Sequence, residues 1–172
     1  MLPRIGNEYS GSYTGAMYYN TTGSNNTAVG SGALANITAA YNTAIGYQAG
    51  YSHTANYNTF VGVYTGRFST TGTDNTAVGG NSTGDPTFYR NTTGSYNTAL
   101  GMGALASNTT AANNNAVGYQ ALYLNQTGER NVAVGRAALY SNTNSDCTAV
   151  GHAALYASTG ASNTAVGEAA LY

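Results

Sequence analysis

The sequence has no lysine, no tryptophan and one cysteine, and its charged residues amount to 6% of 172. About 25% is usual for a globular domain. The formal net charge is -1. That leaves no basic footprint for nucleic acid or an anionic membrane, so neither is expected as a partner. Without lysine, the glycine-rich stretches cannot make a phosphate-binding loop. A lone Cys147 excludes an internal disulfide and cysteine-based zinc spacing. No stretch approaches the roughly 18 consecutive apolar residues of a membrane span. No apolar run follows Arg4, so a cleaved export signal is not visible. A virion protein, or a piece cut from a longer chain, needs none.

Catalytic groupings are also missing. The acids Glu8, Asp74, Asp85, Glu129, Asp146 and Glu168 form no repeated column. Nothing pairs two of them at the roughly 5–10 Å that glycoside hydrolysis requires. His53 and His152 stand apart and read as solvated surface residues. No catalytic site, metal or cofactor is therefore expected, and the chain reads as a non-enzyme.

What the sequence does contain is regular. Glycine (23), tyrosine (16), asparagine and threonine are abundant, and apolar residues still reach 42%. Low charge with Asn, Thr and Gly can mean disorder. Recurrence at fixed positions argues for a fold instead. The pentapeptide Asn-Thr-Ala-Val-Gly recurs with variants nine times, as in Asn26-Thr27-Ala28-Val29-Gly30, Asn58-Thr59-Phe60-Val61-Gly62 and Asn163-Thr164-Ala165-Val166-Gly167. Its closing glycines are spaced 16, 16, 17, 22, 17, 17, 16 and 16 residues apart. Cys147 takes the place of the leading asparagine in one copy and reads as a neutral replacement.

A second half-repeat follows most of the glycines, as in Ala121-Leu122-Tyr123, Ala138-Leu139-Tyr140, Ala154-Leu155-Tyr156 and Ala170-Leu171-Tyr172. Each repeat thus offers two strand candidates, Thr-Ala-Val and Ala-Leu-Tyr. Helix is rejected because the apolar runs are three or four residues long, whereas isolated helices need about 12–15. Tight hairpins favour Asn-Gly, and the dipeptide is absent. The predicted fold is all-β: a parallel β-solenoid or β-roll with one coil per 16–17 residues, covering 14–172 after an N-terminal arm at 1–13. Alternation sets Thr and Val on one face and Ala on the other. Val is expected in a narrow core, and Asn in ladders along the axis. So small a coil has little interior of its own, so association into a shared core is expected.

The string Asn114-Asn115-Ala116-Val117-Gly118-Tyr119-Gln120-Ala121-Leu122 resembles the repeats of phage tail-fibre proteins. The array as a whole, from about Gly15 to Tyr172, is similar to the head repeats of trimeric autotransporter adhesins. The resemblance implies a left-handed roll in each chain, a parallel homotrimer and a surface-attachment role outside the cell, on a virion or a cell-surface appendage. Adhesin heads repeat at about 14 residues, shorter than here. A cell-surface glycan or protein receptor would be the partner, besides the chain itself.

Candidate contact residues lie in a longer spacer near 80–96, where Asp85, Phe88, Tyr89 and Arg90 suit a sugar. The repeat-end tyrosines read as rings covering gaps between coils, or as a platform for glycans. Sequons begin at Asn20, Asn25, Asn36, Asn81, Asn91, Asn108 and Asn125. Leu2 and Ile5 would anchor the arm to a neighbouring unit. No polar capping repeat is evident, which suggests head-to-tail stacking into an extracellular filament as an alternative. A further alternative is ice binding by the threonine column Thr27, Thr43, Thr59, Thr76, Thr98, Thr148 and Thr164. It ranks low because the threonines are expected to share a face with the core valines.

Overall fold

The computed structural model describes residues 15–82 and 84–172. The central three residues of every pentapeptide form a strand: β1 (Thr27–Val29), β2 (Thr43–Ile45), β3 (Thr59–Val61), β4 (Thr76–Val78), β5 (Thr98–Leu100), β6 (Asn115–Val117), β7 (Val132–Val134), β8 (Thr148–Val150) and β9 (Thr164–Val166). They make one nine-stranded parallel sheet whose spatial order is the sequence order. The register is strict, with Thr27 beside Thr43 and Ala28 beside Ala44, and so on to β9. The fold is the expected all-β solenoid, one strand to a coil. At about 4.8 Å per coil the sheet is roughly 38 Å long.

The second strand candidate does not form. In Ala-Leu-Tyr the leucine takes a left-handed backbone, with φ from 48° to 52° at Leu34, Leu105, Leu122, Leu139, Leu155 and Leu171. An extended strand has negative φ, so the segment turns. Its backbone still bonds along the axis: Leu105 N donates to Ala121 O and Leu122 N to Ala138 O, both at 3.0 Å. Solvent-free stacking of the turns therefore replaces a second sheet.

The face assignment is reversed as well. In each strand the middle residue is buried and its neighbours look outward. The interior is made of Ala28, Ala44, Ala77, Ala99, Ala116, Ala133, Ala149 and Ala165, the turn leucines and a rank of turn alanines. Valine lies outside. The coil is too narrow for valine and leucine to meet across it, so leucine fills the width and alanine admits it.

Two coils test this reading. Where leucine would stand, they carry Gly50 and Gly66, and the strand between them carries Phe60 in place of alanine. Phe60 is fully buried. A Cβ on Gly50 would lie 2.8 Å from its ring and one on Gly66 2.5 Å from it. One phenylalanine thus occupies the space of two missing leucines.

The expected asparagine ladder is present. Asn42, Asn58, Asn75, Asn97, Asn114 and Asn131 are buried. Each Oδ1 accepts from the backbone N–H of the next rung, at 2.8–3.0 Å from Asn26 through to Cys147. The Nδ2 groups donate to turn carbonyls of the following coil, as Asn97 does to Ala111 O at 2.9 Å and Asn114 to Gly128 O at 2.9 Å. Cys147 keeps the rung's place, with Sγ 3.4 Å from Gly160 O. A second buried column, Asn91, Asn108, Asn125 and Asn142, lies beside it. Asn108 Nδ2 donates to Asn91 Oδ1 at 2.7 Å, and both columns donate to the same turn carbonyls, Gly94 O, Ala111 O and Gly128 O.

Candidate interaction surfaces

The outward strand face carries two ranks. One is the threonine column. The other is Val29, Ile45, Val61, Val78, Leu100, Val117, Val134, Val150 and Val166, running the length of the sheet. Several interior members keep more than a third of their surface, Val78 38%, Val117 37% and Val134 38%, while Val61 and Leu100 are half-buried. A continuous apolar rank of this length is unusual on an isolated protein surface. No charged residue interrupts it.

Tyrosines form stacks, not platforms. Tyr123, Tyr140, Tyr156 and Tyr172 lie ring over ring at centroid distances of 5.1, 4.9 and 5.2 Å and within 14° of parallel. Tyr41 and Tyr57 do the same at 5.2 Å. The ring faces are taken by each other, so a ligand meets edges and hydroxyls. This fits rings that cover the gaps between coils.

The long spacer rejoins the regular coil by Phe88, whose N donates to Ala104 O at 2.9 Å. Asp85 is exposed, and its charge acts on the Tyr123 phenol. Partial burial, and then Asp85, push that phenol well above the usual range. A cleft of about 120 Å³ opens beside Asn81, Asp85, Met102 and Gln120. It is smaller than the roughly 300 Å³ of a typical ligand pocket. Phe88 is not a contact residue: it is fully buried and replaces the turn leucine, with φ of 53°. Tyr89 is half-buried and Arg90 exposed, at the two coil positions that follow.

These two residues adjoin a pair that the sequence did not single out. The Phe68 ring meets the Tyr89 ring edge-on at 4.9 Å. The Arg67 guanidinium lies 4.8 Å from the Tyr64 centroid and 5.1 Å from that of Phe68. The signal was available, because Arg67-Phe68 occupies in one coil the place of Tyr89-Arg90 in the next.

The sequons divide. Asn91, Asn108 and Asn125 are wholly buried ladder residues and cannot carry a glycan in the folded chain. Asn20 bonds Gly23 N at 2.8 Å, and Asn36 bonds Tyr51 O at 2.9 Å. Asn81 is half-buried and Asn25 is exposed. Leu2 and Ile5 lie outside the described residues.

His53 is not a surface residue. It is fully buried, its Nε2 2.8 Å from Asn58 Nδ2 and its ring edge-on to Phe60 at 5.2 Å. Burial lowers its pKa to about 4, against a smaller opposing effect of the Ala55 and Ser69 backbone. The imidazole is therefore neutral at pH 7. On the surface, Arg130 holds Asp146 through two bonds of 2.7 and 3.0 Å, keeping that carboxyl below its usual range. Among the described residues no three His, Cys, Asp or Glu side chains converge as metal ligands. No family model, curated protein or solved structure matches the chain.

Proposed function

We propose that the chain is a structural fibre protein that associates with two further copies of itself through its strand face and forms a surface-exposed shaft or head for attachment. The observation that carries this reading is the outward valine rank. A core of alanine and leucine leaves the larger β-branched residues outside, where they gain only from a partner. That partner must present matching apolar groups every coil over about 38 Å. Another copy of the same solenoid has that period by construction. The number three follows from the resemblance to trimeric adhesin heads and tail fibres.

Burying a whole valine is worth about 1.5–3 kcal/mol, so covering the exposed third contributes about 0.5–1 kcal/mol per residue. The double variant Val117→Asp/Val134→Asp tests the interface. Placing two carboxylates on this rank should release single chains with the coil intact by circular dichroism. Retention of the parental mass would remove the strand face as the interface.

A second reading is favoured by one observation. The objection to ice binding was that threonine would share the core face with valine, and both ranks face outward in register. A flat Thr and Val face on a lone solenoid suits ordered water. Association would hide that face, so the two readings exclude one another. Ice growth unaffected by high concentrations of single chains would remove the second.

A further inference from the structure

Arginine is the only strong cation this chain has, and it is scarce: five residues in 172. Among the described residues, Arg130 is bound by Asp146 and Glu129, and Arg136 lies against His152. Arg67 and Arg90 differ. Neither makes an ion pair among the described residues, and the Nε of Arg67 is buried with no hydrogen-bond partner. Yet both are positioned. Arg67 is held over Tyr64 and Phe68, and Arg90 lies 6.0 Å from the Tyr89 centroid. The Phe68 and Tyr89 rings between them are in contact, and Phe68 is 44% exposed. Asp85, on the adjoining loop, makes no ion pair with Arg90.

From this geometry we infer that Arg67, Phe68, Tyr89 and Arg90 form a binding site for a carboxylate-bearing glycan, one containing a uronic or sialic acid. The guanidinium fork matches a planar carboxylate through paired N–H bonds. Exposed aromatic surface beside it takes the apolar face of a sugar ring. An acidic peptide is disfavoured, because an extended chain needs unpaired backbone groups to bind. Here they are used along the axis: Phe68 N donates to Tyr89 O at 3.1 Å and Arg90 N to Ala106 O at 3.2 Å. The inference deepens the attachment role proposed above by naming the class of ligand, and it requires no particular number of chains.

Saturation-transfer NMR on the whole protein tests it, with sialyllactose and trigalacturonate as probes and lactose and triglutamate as controls. The sugar acids should receive saturation, and lactose and triglutamate should not. Each of Arg67→Gln and Arg90→Gln should weaken sugar-acid binding about tenfold, the effect of losing one charge-assisted contact. Arg67→Lys should also weaken it, since an ammonium cannot fork. Circular dichroism and mass should match the parent in all three variants. Absence of transfer to the sugar acids would overturn the site. Equal binding of lactose or triglutamate, or unchanged affinity in both glutamine variants, would do the same. A discrete trimer that ignores sugar acids removes this site and leaves the fibre reading. A single chain that binds them does the reverse.

Discussion

Replacing Asn97 by alanine removes a rung from the middle of the buried ladder, and the structure fixes what is lost. The backbone N–H of Asn114 loses its acceptor, the Asn97 Oδ1 at 3.0 Å. That donor is buried, and an orphaned buried group costs about 1–3 kcal/mol. Two bonds from Nδ2 also go, to Asn75 Oδ1 at 3.2 Å and Ala111 O at 2.9 Å. Their acceptors keep other partners: Asn75 Oδ1 still accepts from Asn97 N, and Ala111 O from Asn108 Nδ2. Those losses are therefore partial, well under 1 kcal/mol each against the usual net value of a hydrogen bond. With the small void left behind, the total is about 2–4 kcal/mol. Urea unfolding of Asn97→Ala against Thr93→Ala measures it, because Thr93 is exposed outside the strand face and should change stability by less than about 0.5 kcal/mol. Since each coil touches only its neighbours, hydrogen exchange should quicken first in β4, β5 and β6. A cost for Asn97→Ala no greater than that of the control would refute the ladder as a source of stability.

Three further outcomes follow from named contacts. Cys147→Asn restores the missing rung by supplying an oxygen to the N–H of Asn163 and a stronger donor to Gly160 O. Chemical unfolding should show a gain of about 1 kcal/mol. Phe60→Ala empties the space that spans two leucine-free coils, and calorimetry should show a loss of about 3–5 kcal/mol. His53 has a folded pKa of about 4 against 6.5 in the unfolded chain. Between those values the unfolded chain binds a proton that the folded chain refuses, so stability is full above about pH 6.5 and falls on acidification until about pH 4. The loss is roughly 3 kcal/mol, and stability curves of His53→Asn should be flatter across that window.

The coil period, the nine strands and the asparagine ladder were legible because repetition multiplies weak signals. Which strand face turned inward was not legible, since Thr-Ala-Val carries apolar residues on both sides and alternation alone cannot rank them. The failure of Ala-Leu-Tyr as a strand had a faint trace. Its leucine column becomes Gly50 and Gly66 in two coils, and the column two residues earlier holds Gly32 and Gly103. Glycine recurring in a column marks positive φ, and all four have it, from 57° to 75°. Leucine accepts that backbone strain because its side chain fills the interior. The sequons misled for a physical reason. Asn91, Asn108 and Asn125 are asparagine for their buried amides, and the nearby threonines bond neighbouring turns, as Thr92 Oγ1 does to Thr109 O at 3.0 Å. Phe88 misled because composition marked the inserted segment as a unit, whereas the coil resumes before it.

The most direct test of the outward valine rank as an interface is the solution mass by light scattering after size exclusion. The chain is 17.5 kDa, and a discrete species of three times that mass is the expected result. A broad and much larger species would point instead to a filament subunit. A clean single chain would contradict the shared strand face outright.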